Sequence, residues 1–306
     1  MIRFSNIAQY QLTNANILRT QTEIAETQIQ IASGKKAQTY SEIATDVTQL
    51  VSLERSLTRS DQYTDNIDTA LSRLNLMESS VGTLVERSTE VLGIIAQGLS
   101  GTNLDDLPLQ QFANTFLAEA AGELNKQNSG FYIFGGSRTN IAPVDLSDTD
   151  YTPQAGLPGT FTADTDYYQG DDFIYSVRAD DRLETSYGVT ADHPTFEALL
   201  RGLSYMEYAG ANSDKVVLEE AYDLLKSAID GLSDLRGEIG SSAGVLEQQK
   251  TSHEDFQTFA ENLVSNIEDV DIAQATTELS FNELQLQGSY AALARIRSLN
   301  LLQYLN

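Results

Sequence analysis

The 306-residue chain has no cysteine, no tryptophan, only two histidines, and 19 lysines and arginines against 44 acids. Each shortage excludes something. Without thiols there is no disulfide framework, no cysteine nucleophile and no thiolate metal site. With a formal net charge of −25 the chain lacks the basic face that nucleic acid or an anionic membrane requires, so neither is expected as a partner. No run approaches the roughly 20 apolar residues of a membrane span. The opening MIRFSNIAQYQL lacks the apolar centre of a cleaved signal peptide. Taken alone this composition points to the cytoplasm, although export without a cleaved signal leaves no mark on such a test. Proline is scarce too: none precedes Pro108, and the other four lie between Phe131 and Pro194.

The proline-free stretch carries apolar residues at heptad spacing, which predicts long helices with one interruption. The first stripe is Tyr10, Ile17, Ile24 and Ile31, with Leu18, Ala25 and Ala32 one position on, and it stops at Ser33 to Lys36. A second helix is expected from near Ser41, carrying Val47, Leu50, Val51 and Leu57. It continues with Ile67, Leu74, Val81 and Ile95 at sevenfold spacing, Leu71, Val85, Leu92 and Leu99 alongside, and Ser88 breaking the series. Gly98 to Pro108 is turn chemistry, and a third helix is expected from Leu109 to Lys126.

From Phe131 to Pro194 the composition shifts to Thr, Tyr and Pro, with short alternating runs such as TFTA and FIYSVRA, which predict a small β-rich insert. Its many aspartates, among them Asp145, Asp148, Asp150, Asp180 and Asp181, read as a solvated outer face. Helix resumes at Thr195 and, after Gly237, Gly240 and Gly244, runs almost to the end. There Ile272, Leu279, Leu286 and Leu293 keep the sevenfold step. The expected class is mainly α with a small β-rich insert, a long antiparallel helical bundle or coiled coil built from both termini. The expected divisions are 1–40 (N-terminal core helix), 41–139 (helical layer, first part), 140–194 (β-rich outer insert), 195–250 (helical layer, return) and 251–306 (C-terminal core helix).

Both ends read as surfaces for other chains. Between Ser5 and Ser33 only Arg19, Glu23 and Glu26 are charged, and the polar positions are amides and hydroxyls. Neutral hydrogen-bonding residues around a narrow apolar stripe suit a helix packed on several sides, where buried charge is costly. At the other end no Lys or Arg lies between Lys250 and Arg295, and the chain closes on an apolar tail. The expected assembly interface is Ile7, Tyr10, Ile17, Ile24, Ile31, Ile272, Leu279, Leu286, Leu293, Leu299, Leu302 and Leu305, and the expected state is a homo-oligomer. Because lone helices are marginal in water, both termini are expected to order fully only when neighbours supply contacts.

Catalytic patterns are weak. Gly240, Ser242 and Gly244 match GxSxG, but that nucleophile elbow needs a strand before the serine, and both flanks here are helical in pattern. His253 lies eleven residues beyond Ser242 on the same predicted helix. Asp164, Asp166, Asp171 and Asp172 could hold a hard cation, yet Tyr168 and Gln169 stand where an EF-hand needs a ligand and a glycine. His193 precedes Pro194 with no second His nearby, which disfavours zinc. No catalytic residue, metal or cofactor is expected.

Three features coincide in a resemblance: helical termini around a variable insert; NKQNSGFYIFGGSRT from Asn125 to Thr139; and SNIEDVDIAQATTELSFNELQLQGSYAALARIRSLNLLQYLN from Ser265. Together these resemble the flagellin-like axial proteins of the bacterial flagellum, in particular the hook-associated proteins at the hook-filament junction. Tyr167, Gly170, Asp171 and Asp172 are similar to the YxGD element of that group, whereas Ser41 to Asp46 lacks the proline usual in the loop after SGK. The resemblance implies paired terminal helices lining a tube or ring of identical subunits, with an outward-facing insert. It also implies other hook-associated proteins and flagellin as partners, an export chaperone, and an extracellular location reached through a type III apparatus.

Overall fold

The computed structural model describes the backbone of residues 2–41, 46–101, 104 and 107–302, with side chains described outside 2–7, 9 and 296–302. Six helices dominate: α1 Ile2–Ser33, α2 Val47–Ser100, α3 Leu109–Leu124, α4 Pro194–Asn212, α5 Lys215–Glu268 and α6 Ile272–Leu302. Four short strands form two antiparallel two-stranded sheets, β1 Gln127–Asn128 with β2 Phe131–Tyr132, and β3 Tyr175–Arg178 with β4 Glu184–Tyr187. The expected class, mainly α with a small β-containing insert, is what the chain adopts. It divides into two compact units: 1–59 with 256–306, and 60–255.

In the larger unit, α2 buries Tyr63, Ile67, Ala70, Leu74, Met77, Val81, Leu84, Val91 and Ile95, the alternating three-and-four spacing of a coiled-coil seam. Ser88 does not break that seam. It is buried at a seam position and donates its hydroxyl to Leu84 O at 2.6 Å, so it packs as a small residue with its polar group satisfied by its own helix. The flanking row is corrected in part: Leu71 is buried as expected, but Val85, Leu92 and Leu99 are only half-buried, while Ala70, Met77, Leu84 and Val91 complete the seam. Across from it α5 buries Ala221, Leu225, Ala228, Leu232, Leu235, Ile239 and Leu246 on the same rhythm. Ion pairs Arg236–Glu78 (3.1 Å) and Lys250–Asp68 (2.6 Å) fix the two helices antiparallel. The close pair α3 and α4 is also antiparallel, with Gly210 set so near Gln110 N that an added Cβ would stand 2.5 Å from it.

Several expected boundaries move. The second helix begins at Val47, not near Ser41; residues 42–45 lie outside the described set. The third ends at Leu124, because Asn125 leaves the helix and its side chain bonds both backbone groups of Val144, at 2.8 and 2.9 Å. Gly237, Gly240 and Gly244 neither interrupt α5 nor mark a close approach, since space for a Cβ is open at all three. The break falls at Asp269–Asp271 instead, where Asp271 Oδ1 accepts from Gln274 N at 3.0 Å and caps α6.

The insert holds fewer strands than its composition suggested. FIYSVRA supplies β3, but TFTA (160–163) is no strand. Order comes from aromatic packing and aspartate-capped turns: buried Tyr167 donates its hydroxyl to Ala191 O at 2.9 Å and meets Tyr151 edge to face at 5.3 Å.

Candidate assembly surface

Within the smaller unit, α1 and α6 pack against each other. Gln21 Nε2 donates to Tyr290 Oη at 2.8 Å, and Lys35 bridges antiparallel to Asp269. The helices therefore run in opposite directions from a common end. Ile17 is buried, and Tyr10, Ile24, Ile31, Leu279, Leu286 and Leu293 are half-buried, so the structure turns the predicted stripes inward. Ile272 departs from its stripe and is 56% exposed; α6 has only just begun there, and Ala275 takes the buried position. The side chains of Ile7, Leu299 and Leu302, and all of Leu305, lie outside the described set.

The companion row Leu18, Ala25 and Ala32 is exposed; the buried partners of the isoleucines are Thr20 and Thr27, with Thr13 half-buried. Thr20 and Thr27 donate to the carbonyls of Asn16 and Glu23, at 3.1 and 2.8 Å, which makes them tolerable in a seam. A polarity count does not see this, because threonine scores as polar even where its own helix satisfies it.

The outward side is apolar as well. Leu12 (66% exposed), Leu18 (58%), Phe281 (65%) and Leu284 (66%) stand in solvent together with Ile29, Ile272 and Tyr290. Of these, Leu12, Ile29, Phe281, Leu284 and Tyr290 fall off the predicted rows and so read as scatter in the sequence. The signal that finds them is a large apolar residue off the stripe on a helix with few charges. Arg19 pairs with Glu23 at 3.0 Å, so even part of that small charge is neutralised locally. A helix apolar on more than one side calls for neighbours on more than one side.

In the larger unit the two motifs of the resemblance interlock. Ser129 (φ 53°) and Gly130 (φ 87°) form the two-residue turn between β1 and β2. Ile133 and Phe134 are buried, and Phe134 O accepts from Ala191 N at 2.9 Å. The guanidinium of Arg73 sits 4.1 Å over the Tyr175 ring and donates to Ile133 O. Gly136 (φ 63°) lies against Asp171, where an added Cβ would come within 2.1 Å of Oδ1. Asp171 then accepts from Ser137 N at 2.7 Å, from the Ser137 hydroxyl and from Phe173 N at 3.2 Å. The Ser137 hydroxyl first, then its amide, hold the Asp171 carboxyl below its ordinary value.

The chemical candidates disperse. Ser242 sits at a half-buried seam position of α5. His253, on the same helix and about 16 Å further along its axis, is spent elsewhere: Nε2 donates to Ala179 O at 2.7 Å, Nδ1 lies 3.2 Å from Ser60 Oγ, and its ring packs on Tyr63. Asp164 accepts from Thr152 N (2.6 Å) and Asp166 N (3.0 Å), a turn role separate from that of Asp171. His193 caps α4, accepting from Thr195 N at 3.3 Å. Among the described residues no three His, Asp or Glu side chains converge as a metal site, and no helix is long and apolar enough to cross a membrane.

Comparison with known proteins agrees with this layout. Residues 222–305 match the bacterial flagellin C-terminal helical region. No curated protein sequence matches the chain significantly. Among solved structures, a putative flagellar hook-associated protein from Vibrio parahaemolyticus superposes with TM-score 0.59 at 16% identity, over 74% of this chain and 100% of that one. FlgL of Bacillus cereus superposes with TM-score 0.56 at 19% identity, over 70% and 98%. The chain thus shares the fold of these flagellar proteins and ends in a segment similar to the one that closes bacterial flagellins.

Proposed function

We propose that this chain is a structural subunit of the bacterial flagellum, an adapter that joins hook to filament by self-assembly through its terminal helices, and that it performs no chemistry. The observation that carries the reading is the doubly apolar α1–α6 pair: a heptad seam used within the chain, and a second apolar side left in solvent. The insert supports the junction assignment, since FYIFGG and the YxGD element form one interlocked unit. On this reading the subunits form a ring or short tube outside the cell, in contact with other hook-associated proteins and with flagellin. They reach it unfolded through a type III apparatus, with a chaperone holding the C-terminal helix. The predicted interface residues then act on two levels, Ile17, Ile24, Ile31, Leu279, Leu286 and Leu293 within the pair, and Ile272 with the outward residues between copies.

Deleting the gene tests this: cells should keep hooks and release monomeric flagellin into the medium, and normal attached filaments would refute it. A filament-subunit reading has its own support in the flagellin-type C-terminal segment. Seeding separates the two, because a filament subunit elongates indefinitely from hook ends while an adapter stops after a short ring.

A further inference from the structure

The α1–α6 seam does not by itself fix its own register. Its large residues recur every seven positions on both helices, at Tyr10, Ile17, Ile24 and Ile31 and at Leu279, Leu286 and Leu293. Sliding one helix by a heptad, about 10 Å, sets isoleucine against leucine again. Periodic seams need a polar or geometric device to choose among such alternatives. The seam threonines do not supply it, because Thr20 and Thr27 spend their hydroxyls on their own helix.

At one end of the pair, both helical runs break at the same level and the breaks are joined. Gly34, at φ 73°, ends α1. Val270 N donates to Gly34 O at 2.9 Å, and Lys36 N donates to Glu268 O at 2.6 Å, forming a two-bond antiparallel bridge. Lys35 Nζ donates to the Glu268 carboxylate at 2.7 Å, Lys36 Nζ donates to Asn266 O, and Gln30 Nε2 donates back to Lys36 O at 2.8 Å. Carbonyls and amides that helix ends leave without partners are thus satisfied by the opposite break. These contacts are aperiodic: after a one-heptad slip, Gly34 and Lys36 would face regular helix whose amides and carbonyls are already bonded.

We propose that the joined breaks, Gly34–Lys36 with Glu268–Val270, are a registration clasp that selects one antiparallel register for the terminal helices out of several that the heptad seam allows. The clasp acts in the free chain, so it stands or falls independently of the flagellar reading. Gln21 and Tyr290 add a single exposed hydrogen bond to the same choice.

The absence of cysteine makes the test direct. Spin labels on Asn14→Cys and Thr277→Cys, both exposed, lie about 20 Å apart along the axis, counted from the Lys35–Asp269 bridge, and pulsed dipolar spectroscopy on the full chain reads their separation. The unaltered clasp should give one narrow distance. Val270→Pro, which deletes one bridging N–H, and Lys35→Glu, which sets two acids together, should each add a second population shifted by about 10 Å. The exchange Lys35→Glu with Glu268→Lys should restore the single distance. A native single distance in both disrupted variants, or failure of the exchange to restore it, overturns the proposal. So does a broad featureless distribution, which would show that the contacts hold the helices folded without selecting their register. Amide exchange across 60–255 should be unchanged throughout, and loss of protection there equally counts against a local clasp.

Discussion

Replacing Leu12, Leu18 and Leu284 together by Gln separates the two apolar sides of the terminal pair. In the free chain these residues are 66%, 58% and 66% exposed, so each should change subunit stability by no more than about 0.5 kcal/mol. Glutamine is also a good helix former, which keeps backbone propensity level. If copies bury what is now in solvent, each leucine forfeits about 1–2 kcal/mol, the exposed fraction of the roughly 1.5–3 kcal/mol for full burial. Three together remove about 3–6 kcal/mol per copy, or roughly 10²- to 10⁴-fold in the association constant. Sedimentation velocity across a concentration series reads the assembly, and circular dichroism during urea unfolding reads the subunit. Assembly at wild-type concentrations by a triple variant of unchanged stability would refute the outward face as the interface. Loss of subunit stability by several kcal/mol would place these residues inside the fold.

Leu74→Ala, in the α2 seam and fully buried, should cost about 2–5 kcal/mol in urea unfolding, while half-buried Val85→Ala should cost under about 1.5; the reverse order would restore the flanking row to the core. Thr27→Val should leave stability level or slightly raised, because the hydroxyl removed bonds only its own helix; a loss above about 1 kcal/mol by denaturant titration would reveal a cross-seam bond. Gly136→Ala, which puts a Cβ against Asp171 at positive φ, should open the insert to limited proteolysis between residues 140 and 190 without altering the α2–α5 pair. The depressed Asp171 carboxyl contributes stability that is present above the unfolded-state value near 3.9 and lost as pH falls through the folded value. Ser137→Ala should therefore move its carboxyl titration, followed by NMR, back up toward the ordinary range.

Sequence alone determined the helical class, the places where the chain leaves helix around the insert, and the heptad stripes, because heptad periodicity and scarce proline are local signals that survive without tertiary information. It also carried the motifs of the resemblance, whose glycines and aspartates are legible as residue types. Only the tertiary structure decided which row accompanies each stripe. Thr20, Thr27 and Ser88 enter seams that Leu18 and Val85 do not, since a hydroxyl bonded to its own helix loses its polarity toward the neighbour. Only the tertiary structure showed that Gly136 exists to admit Asp171, a contact between residues 35 positions apart. It likewise placed the break of the last long helix at Asp269–Asp271, where a partner break supplies hydrogen bonds, and left the glycines before it within unbroken helix. A break becomes stable when something satisfies its orphaned backbone groups, and that something lies far away in sequence.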